Sequence, residues 1–219
     1  MDSATDKSNR VLDPMERISE VLFGLIMVLT YTGTLSVATA DRAEVRTMLI
    51  GALGCNLAWG IIDGGLYLLA RLHERGRNIL MFLEVRKATD PDAARRIIAD
   101  ALPPQVASVL PQEHLESVRQ KLLQAAEPPA RPRLMKDDWL GALGICVLVF
   151  LSTFPVAVPF LFIGDARLAL RVSNAIAIAM LFLCGYAFGH YAGLRPWPMG
   201  LAMVAVGGVL VAITIALGG

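Results

Sequence analysis

The stretch LAWGIIDGGLYLLA, residues 57–70, is apolar on both sides of a single aspartate, Asp63. It belongs to a longer run, 47–70, in which Asp63 is the only Asp, Glu, Lys or Arg. A helix rises about 1.5 Å per residue, so about 20 mostly apolar residues cross a bilayer's hydrocarbon core. Four more runs of that length stand at 18–38, 139–163, 172–192 and 198–217, and the last three carry no Asp, Glu, Lys or Arg. The 219 residues are 55% hydrophobic and 18% charged, with a mean hydropathy of +0.57. That is too little charge to cover a soluble surface. The sequence predicts an all-α integral membrane protein with five transmembrane helices. The first run follows a mixed acidic and basic segment and has no small-residue cleavage site, so it reads as a span and not as a cleaved signal.

The charges set the organisation. They gather before the first run, at 41–46, in a long block over 71–138, at 165–171 and at 195. Lys and Arg near the span ends number fourteen on the side of the N-terminus, the 71–138 block and Arg195, against four on the other side: Arg42, Arg46, Arg167 and Arg171. Cytoplasmic loops carry the excess, so the N-terminus is expected in the cytoplasm and the C-terminus outside, in a multi-pass protein of the cell membrane. Three parts follow: 1–70 with the first two spans, a cytoplasmic helical insert over 71–138, and 139–219 with the last three spans. In the insert, Asp90 reads as an N-cap with Pro91 at the first helical position. Ile97, Ile98, Ala101 and Leu102 are the apolar face of that helix, and Leu115, Val118 and Leu122 form a stripe on a later one. Residues 126–133, AEPPARPR, are a proline-rich linker.

An ionisable side chain inside a bilayer is costly, about 2.5–3.5 kcal/mol on insertion scales, and normally faces a cavity or a partner. Asp63 and Glu20 are the two such acids. Helical spacing places Asn56, Gly60, Asp63 and Tyr67 on one face of the second span, and Glu20, Gly24, Met27, Tyr31 and Thr34 on one face of the first. Two polar stripes on consecutive antiparallel spans suit a cation or proton route. Glu20 and Asp63 are its candidate metal ligands, with Met27 offering a thioether, Asn56 a carbonyl and Tyr31 a place on the same face. Gly60 and Gly64 form a G-x-x-x-G that lets another helix approach. Pro155 and Pro159 interrupt the third run. In the insert, Glu113 and Glu116 share a helix face and are a second candidate metal pair. Cys55, Cys146 and Cys184 lie in separate spans and form neither a disulfide framework nor a zinc site. No nucleophile–base pair or catalytic metal spacing appears, so neither an enzyme nor a resident cofactor is expected.

The layout and local sequence resemble the vacuolar iron transporter family. ISEVLFGLIMVLTYTG is similar to its acid-bearing first span, GIIDGGLYLLAR to its glycine-rich second span, FPVAVPFLF to its proline-bearing third and GLAMVAVGGVLVAITIALGG to its last. The resemblance implies export of ferrous iron or manganese from the cytoplasm, against protons, by a homodimer whose first spans line the path. Glu20 then stands near the family's first-span acid. Asp63 stands where the family usually has methionine, a change from soft sulfur to hard oxygen. The family's insert carries several glutamates, whereas the first insert helix here offers Glu74 and Glu84 among arginines. The expected partners are the lipid bilayer, a second copy of the chain, a divalent cation and protons, with no nucleic acid. The alternative is a non-transporting membrane protein whose insert binds a partner and whose buried acids serve assembly.

Overall fold

The computed structural model describes residues 11–33 and 42–216, and the regular structure among them is all helical, with no strand. The helices are α1 (Pro14–Gly33), α2 (Arg42–Lys87), α3 (Pro91–Asp100), α4 (Pro104–Val109), α5 (Gln112–Gln124), α6 (Lys136–Ser152), α7 (Phe154–Phe162), α8 (Ala166–Tyr191) and α9 (Pro196–Ala216). They form two compact units. One comprises the chain up to Tyr67 together with the part from Lys136 on, and the other is Leu68–Met135.

Four stretches are long and apolar enough to cross a membrane: Ala43–Lys87, Lys136–Phe162, Ala166–Tyr191 and Pro196–Ile213. The helix α1 is not among them. It has 20 residues, and Glu16, Arg17 and Glu20 crowd its first two turns. The fifth run, expected over 18–38, continues beyond Gly33 into residues outside those described. Many large apolar side chains face outward, among them Ile61 and Leu66 on α2, Leu143 and Leu151 on α6, and Leu201 and Val209 on α9. A helix satisfies its own backbone in hydrocarbon, and such a surface is stable there and not in water.

The core of the first unit lies where α1 meets α8 and its neighbours: Leu22, Leu25, Val28 and Leu29 pack with Ala52, Val156, Ala177 and Leu181. A second cluster joins Met48 and Leu49 to Ala157, Phe160 and Ala169. The third hydrophobic run is two helices. It breaks at Thr153, whose N–H bonds Phe150 O at 3.2 Å, and Pro155 follows in the first turn of α7 with Pro159 inside that helix. Proline disfavours helical geometry in the residue before it and lacks the N–H that would continue the ladder, so the break precedes the prolines. At the other end of the unit, Asp165 caps α8 by accepting from Leu168 N at 2.9 Å. The turn from α8 to α9 is closed by Leu194 N–H on Gly189 O at 2.9 Å. Between them Gly193 adopts φ +70°, the left-handed conformation that glycine reaches without strain.

In the second unit Asp90 caps α3, accepting from Asp92 N at 3.0 Å and Ala93 N at 3.2 Å, with Pro91 at the first position. Val85, Ala94, Ile98 and Leu115 are its buried core, with Ile97, Leu102 and Leu122 packed around them. Val118, expected on the same stripe as Leu115, is exposed, and so is Ala101, expected on the α3 face, where it caps the helix end. The core covers one side of α5 only. The proline-rich segment is held at Arg133, whose carbonyl accepts from Arg75 Nη1 at 2.6 Å.

Candidate functional site

The two helices that carry the polar stripes run antiparallel and in contact. Tyr67 Oη approaches Val11 O at 3.5 Å, the rings of Phe23 and Trp59 meet edge-on with centroids 5.4 Å apart, and Asn56 Nδ2 donates to Gly24 O at 3.1 Å. Further along, the Tyr31 hydroxyl is hydrogen-bonded to Cys55. Positions on α2 fall as those on α1 rise. In this register the Asp63 carboxylate lies within Coulombic reach of Glu20, as does that of Glu16. On α2, Asn56 and Gly60 are buried and Asp63 and Tyr67 half-buried, while Leu57, Ile61 and Leu66 face out. The stripe read from the sequence is therefore the inward face.

A third helix seats against both. A Cβ at Gly60 would lie 2.9 Å from Cys146 O, and one at Gly64 would lie 2.8 Å from Ala142 O. The glycines thus bring the α6 backbone against α2 on either side of Asp63. A Cβ at Gly24 would lie 2.8 Å from Val149 O and run into Ser152 Oγ, so α6 is equally close to α1.

Asn56 stands where the three helices meet. Its Nδ2 donates to Gly24 O, to Thr153 Oγ1 at 2.5 Å and, at 3.5 Å, to Val149 O. Its Oδ1 is buried with no partner among the described residues. The residue expected as a carbonyl ligand therefore uses its nitrogen to tie α2 to α1 and to the α6–α7 break, and leaves its oxygen free. Thr153, Ser152 and Cys55 were not read as part of this site. Only the neighbouring prolines marked the break, and no local pattern pairs Asn56 with a threonine 97 positions away.

Glu20 and Asp63 are both half-buried. Among the described residues, neither carboxylate has a hydrogen bond or an ion pair. They present two facing acids, and the charges acting on Glu20 among the described residues are those of Asp63 and Glu16. No three His, Cys, Asp or Glu side chains gather as a metal cluster among the described residues, so protein carboxylates alone would supply two ligands here. Met27 is half-buried on α1, and Tyr31 packs over Gly51, where a Cβ would lie 3.2 Å from its ring. Thr34 lies outside the described residues.

The insert acids have different surroundings. Glu116 accepts from Arg119 Nε and Nη2, from Arg95 Nη1 at 3.1 Å and from Gln120 Nε2 at 3.3 Å. The Arg119 hydrogen bonds, with those of Gln120 and Arg95, hold its carboxyl down to about 2. Arg95 also pairs with Asp92, which with Glu116 raises the guanidinium's already high pKa. Glu113 is exposed one turn away. The network ties α3 to α5.

The family model of the VIT family matches residues 74–219. That is about two thirds of the chain, and it takes in α3 to α9 and the end of α2. Glu20 and Asp63 precede the matched stretch, so their assignment rests on the geometry above. No curated protein matches the chain. The chain's apolar helices and the matched residues lead to one conclusion: it belongs to the VIT family of membrane metal-ion transporters.

Proposed function

We propose that this protein moves a divalent metal cation, iron or manganese, out of the cytoplasm along the α1–α2 interface, in exchange for protons. The observation that carries the reading is the facing of Glu20 and Asp63 with no cationic side chain among the described residues to neutralise them. Two part-buried carboxylates of like charge repel unless a cation or a proton stands between them. A metal binds only the deprotonated pair, so protons and metal compete for one site, which is the elementary requirement of exchange. Water and backbone carbonyls complete the shell of an ion at the pair, and the unpaired Asn56 Oδ1, about two turns further along α2, is a next oxygen on the path. Oxygen ligands favour manganese over softer ions, and the Met27 thioether favours iron.

In this reading α1, with the residues after it, is the first of five spans. The N-terminus and the 68–135 unit are cytoplasmic, the C-terminus is outside in the cell membrane, and two copies form the working dimer. In the insert, Glu116 serves the α3–α5 ion-pair network, and Glu113 remains exposed to meet cations.

The test is uptake of Fe²⁺, Mn²⁺ and Co²⁺ into proteoliposomes, with internal pH followed in parallel. Asp63→Asn and Glu20→Gln should each abolish flux and the coupled proton movement while the protein still elutes as the native assembly. Absence of flux for every metal with the native chain would overturn the reading and leave the two acids as assembly elements.

A further inference from the structure

Away from the Glu20–Asp63 pair, the first unit holds a groove of about 800 Å³ between the start of α2, all of α7 and the start of α8. Its size is that of sites which hold a small organic ligand, roughly 300–1,000 Å³. The walls are alkyl and aromatic, with Leu49, Leu53, Val158, Leu161 and Ile163 among them. Among the described residues the lining carries one charged side chain, Arg46, and no acid. Arg46 is exposed and makes no hydrogen bond or ion pair among the described residues. Asp165, the nearest acid in sequence to the α8 wall, is not part of the lining and is engaged in capping Leu168 N.

Alkyl walls alone would suit any lipid tail. A lone unpaired guanidinium at their edge selects among tails by what they are attached to. It needs an anion, and a phosphodiester offers two oxygens that match its fork. The groove is built from helices long and apolar enough to cross a bilayer, so its occupant is a molecule of the bilayer. The geometry points to a binding site for one anionic phospholipid, with its phosphate on Arg46 and an acyl chain along α7 between Leu53 and Val158. The site is separate from the proposed ion path and does not depend on that reading.

Native mass spectrometry of the full chain tests this, after purification in mild detergent and exposure to equal amounts of phosphatidylglycerol and phosphatidylcholine. The native chain should retain one phosphatidylglycerol in preference to phosphatidylcholine. Arg46→Glu should lower that retention by about fivefold or more, the effect of one basic residue at an anionic lipid surface, and Arg46→Lys, which keeps the charge and loses the fork, should fall between the native chain and Arg46→Glu. Val158 is partly exposed, so Val158→Trp fills the groove without entering the core. It should expel the lipid while Arg46 is intact. Equal retention of the two lipids would overturn the proposal, as would an Arg46→Glu or Val158→Trp chain that holds phosphatidylglycerol as the native chain does.

Discussion

Asn56 Nδ2 lies 2.5 Å from Thr153 Oγ1, so a side chain in the middle of one long helix closes on the break between two others. Both residues are fully buried. In a low-dielectric interior an unmet donor or acceptor is costly, which makes this bond more consequential than a similar one at a surface. Replacing Asn56 by Leu strands the Thr153 hydroxyl and removes the donor to Gly24 O, at about 1–3 kcal/mol. Thermal unfolding in detergent should show this loss. Thr153→Val should give a smaller loss, and the double variant should lose less than the two singles added together, because they share one bond.

The two acids should behave in the opposite sense. Asp63→Asn removes one of two like charges that face each other without a partner among the described residues, so the metal-free variant should melt at or above the native temperature. Added Mn²⁺ should raise the native melting point and leave that of Asp63→Asn unchanged. Metal at a hundred times its Kd stabilises by about 2.7 kcal/mol. A native protein whose melting ignores manganese and every other divalent metal would speak against the pair as a metal site.

The glycines of α2 divide by what stands over them. Gly60→Val and Gly64→Val drive side chains into the α6 backbone at Cys146 and Ala142 and should cost roughly 1–3 kcal/mol, as overpacking does. Gly54 and Gly65 have nothing within 4 Å of an added Cβ. Gly54→Ala and Gly65→Ala should therefore be neutral or stabilise by up to about 1 kcal/mol, through helix propensity alone. Melting curves of the four variants side by side check the contrast.

The Glu116 network gives a pH dependence with a definite sign. Its carboxyl falls from an ordinary 4.5 to about 2 on folding, chiefly through the Arg119 hydrogen bonds. A depressed carboxylate lends stability above its unfolded value and loses it as pH falls toward its folded one. The advantage of the native chain over Glu116→Gln should therefore be constant near neutrality and shrink as pH drops from 4.5 toward 2. Hydrogen exchange in α3 and α5 of the intact protein reads it directly. An advantage that grew in acid would contradict the network.

What the sequence disclosed was whatever local spacing controls. The inward face of α2 follows from the spacing of Asn56, Gly60, Asp63 and Tyr67. The α3 cap follows from Asp90 and Pro91, and the approach of another helix from Gly60 and Gly64. The break at Thr153 was visible only as a bend at the prolines, because a proline acts on the residues before it. The Asn56–Thr153 bond and the Arg95–Glu116 pair join residues that no periodicity relates. In a pattern of apolar and polar letters, Asn56 is one polar residue on a face, and the side of its amide that finds a partner is decided by the third helix.

The turn at Gly193 bears on how such a chain comes together. Four residues join α8 to α9, so the two helices meet at little cost in loop entropy. The helix α1, far upstream in the chain, packs its Leu25 and Leu29 beside Leu181 of α8. The wall it packs on there belongs to the α8–α9 pair, since Gly207 of α9 lies against Leu181 and Leu29. A substitution at Gly193 that barred the left-handed turn would thus disturb the seat of α1 as well as the hairpin it closes.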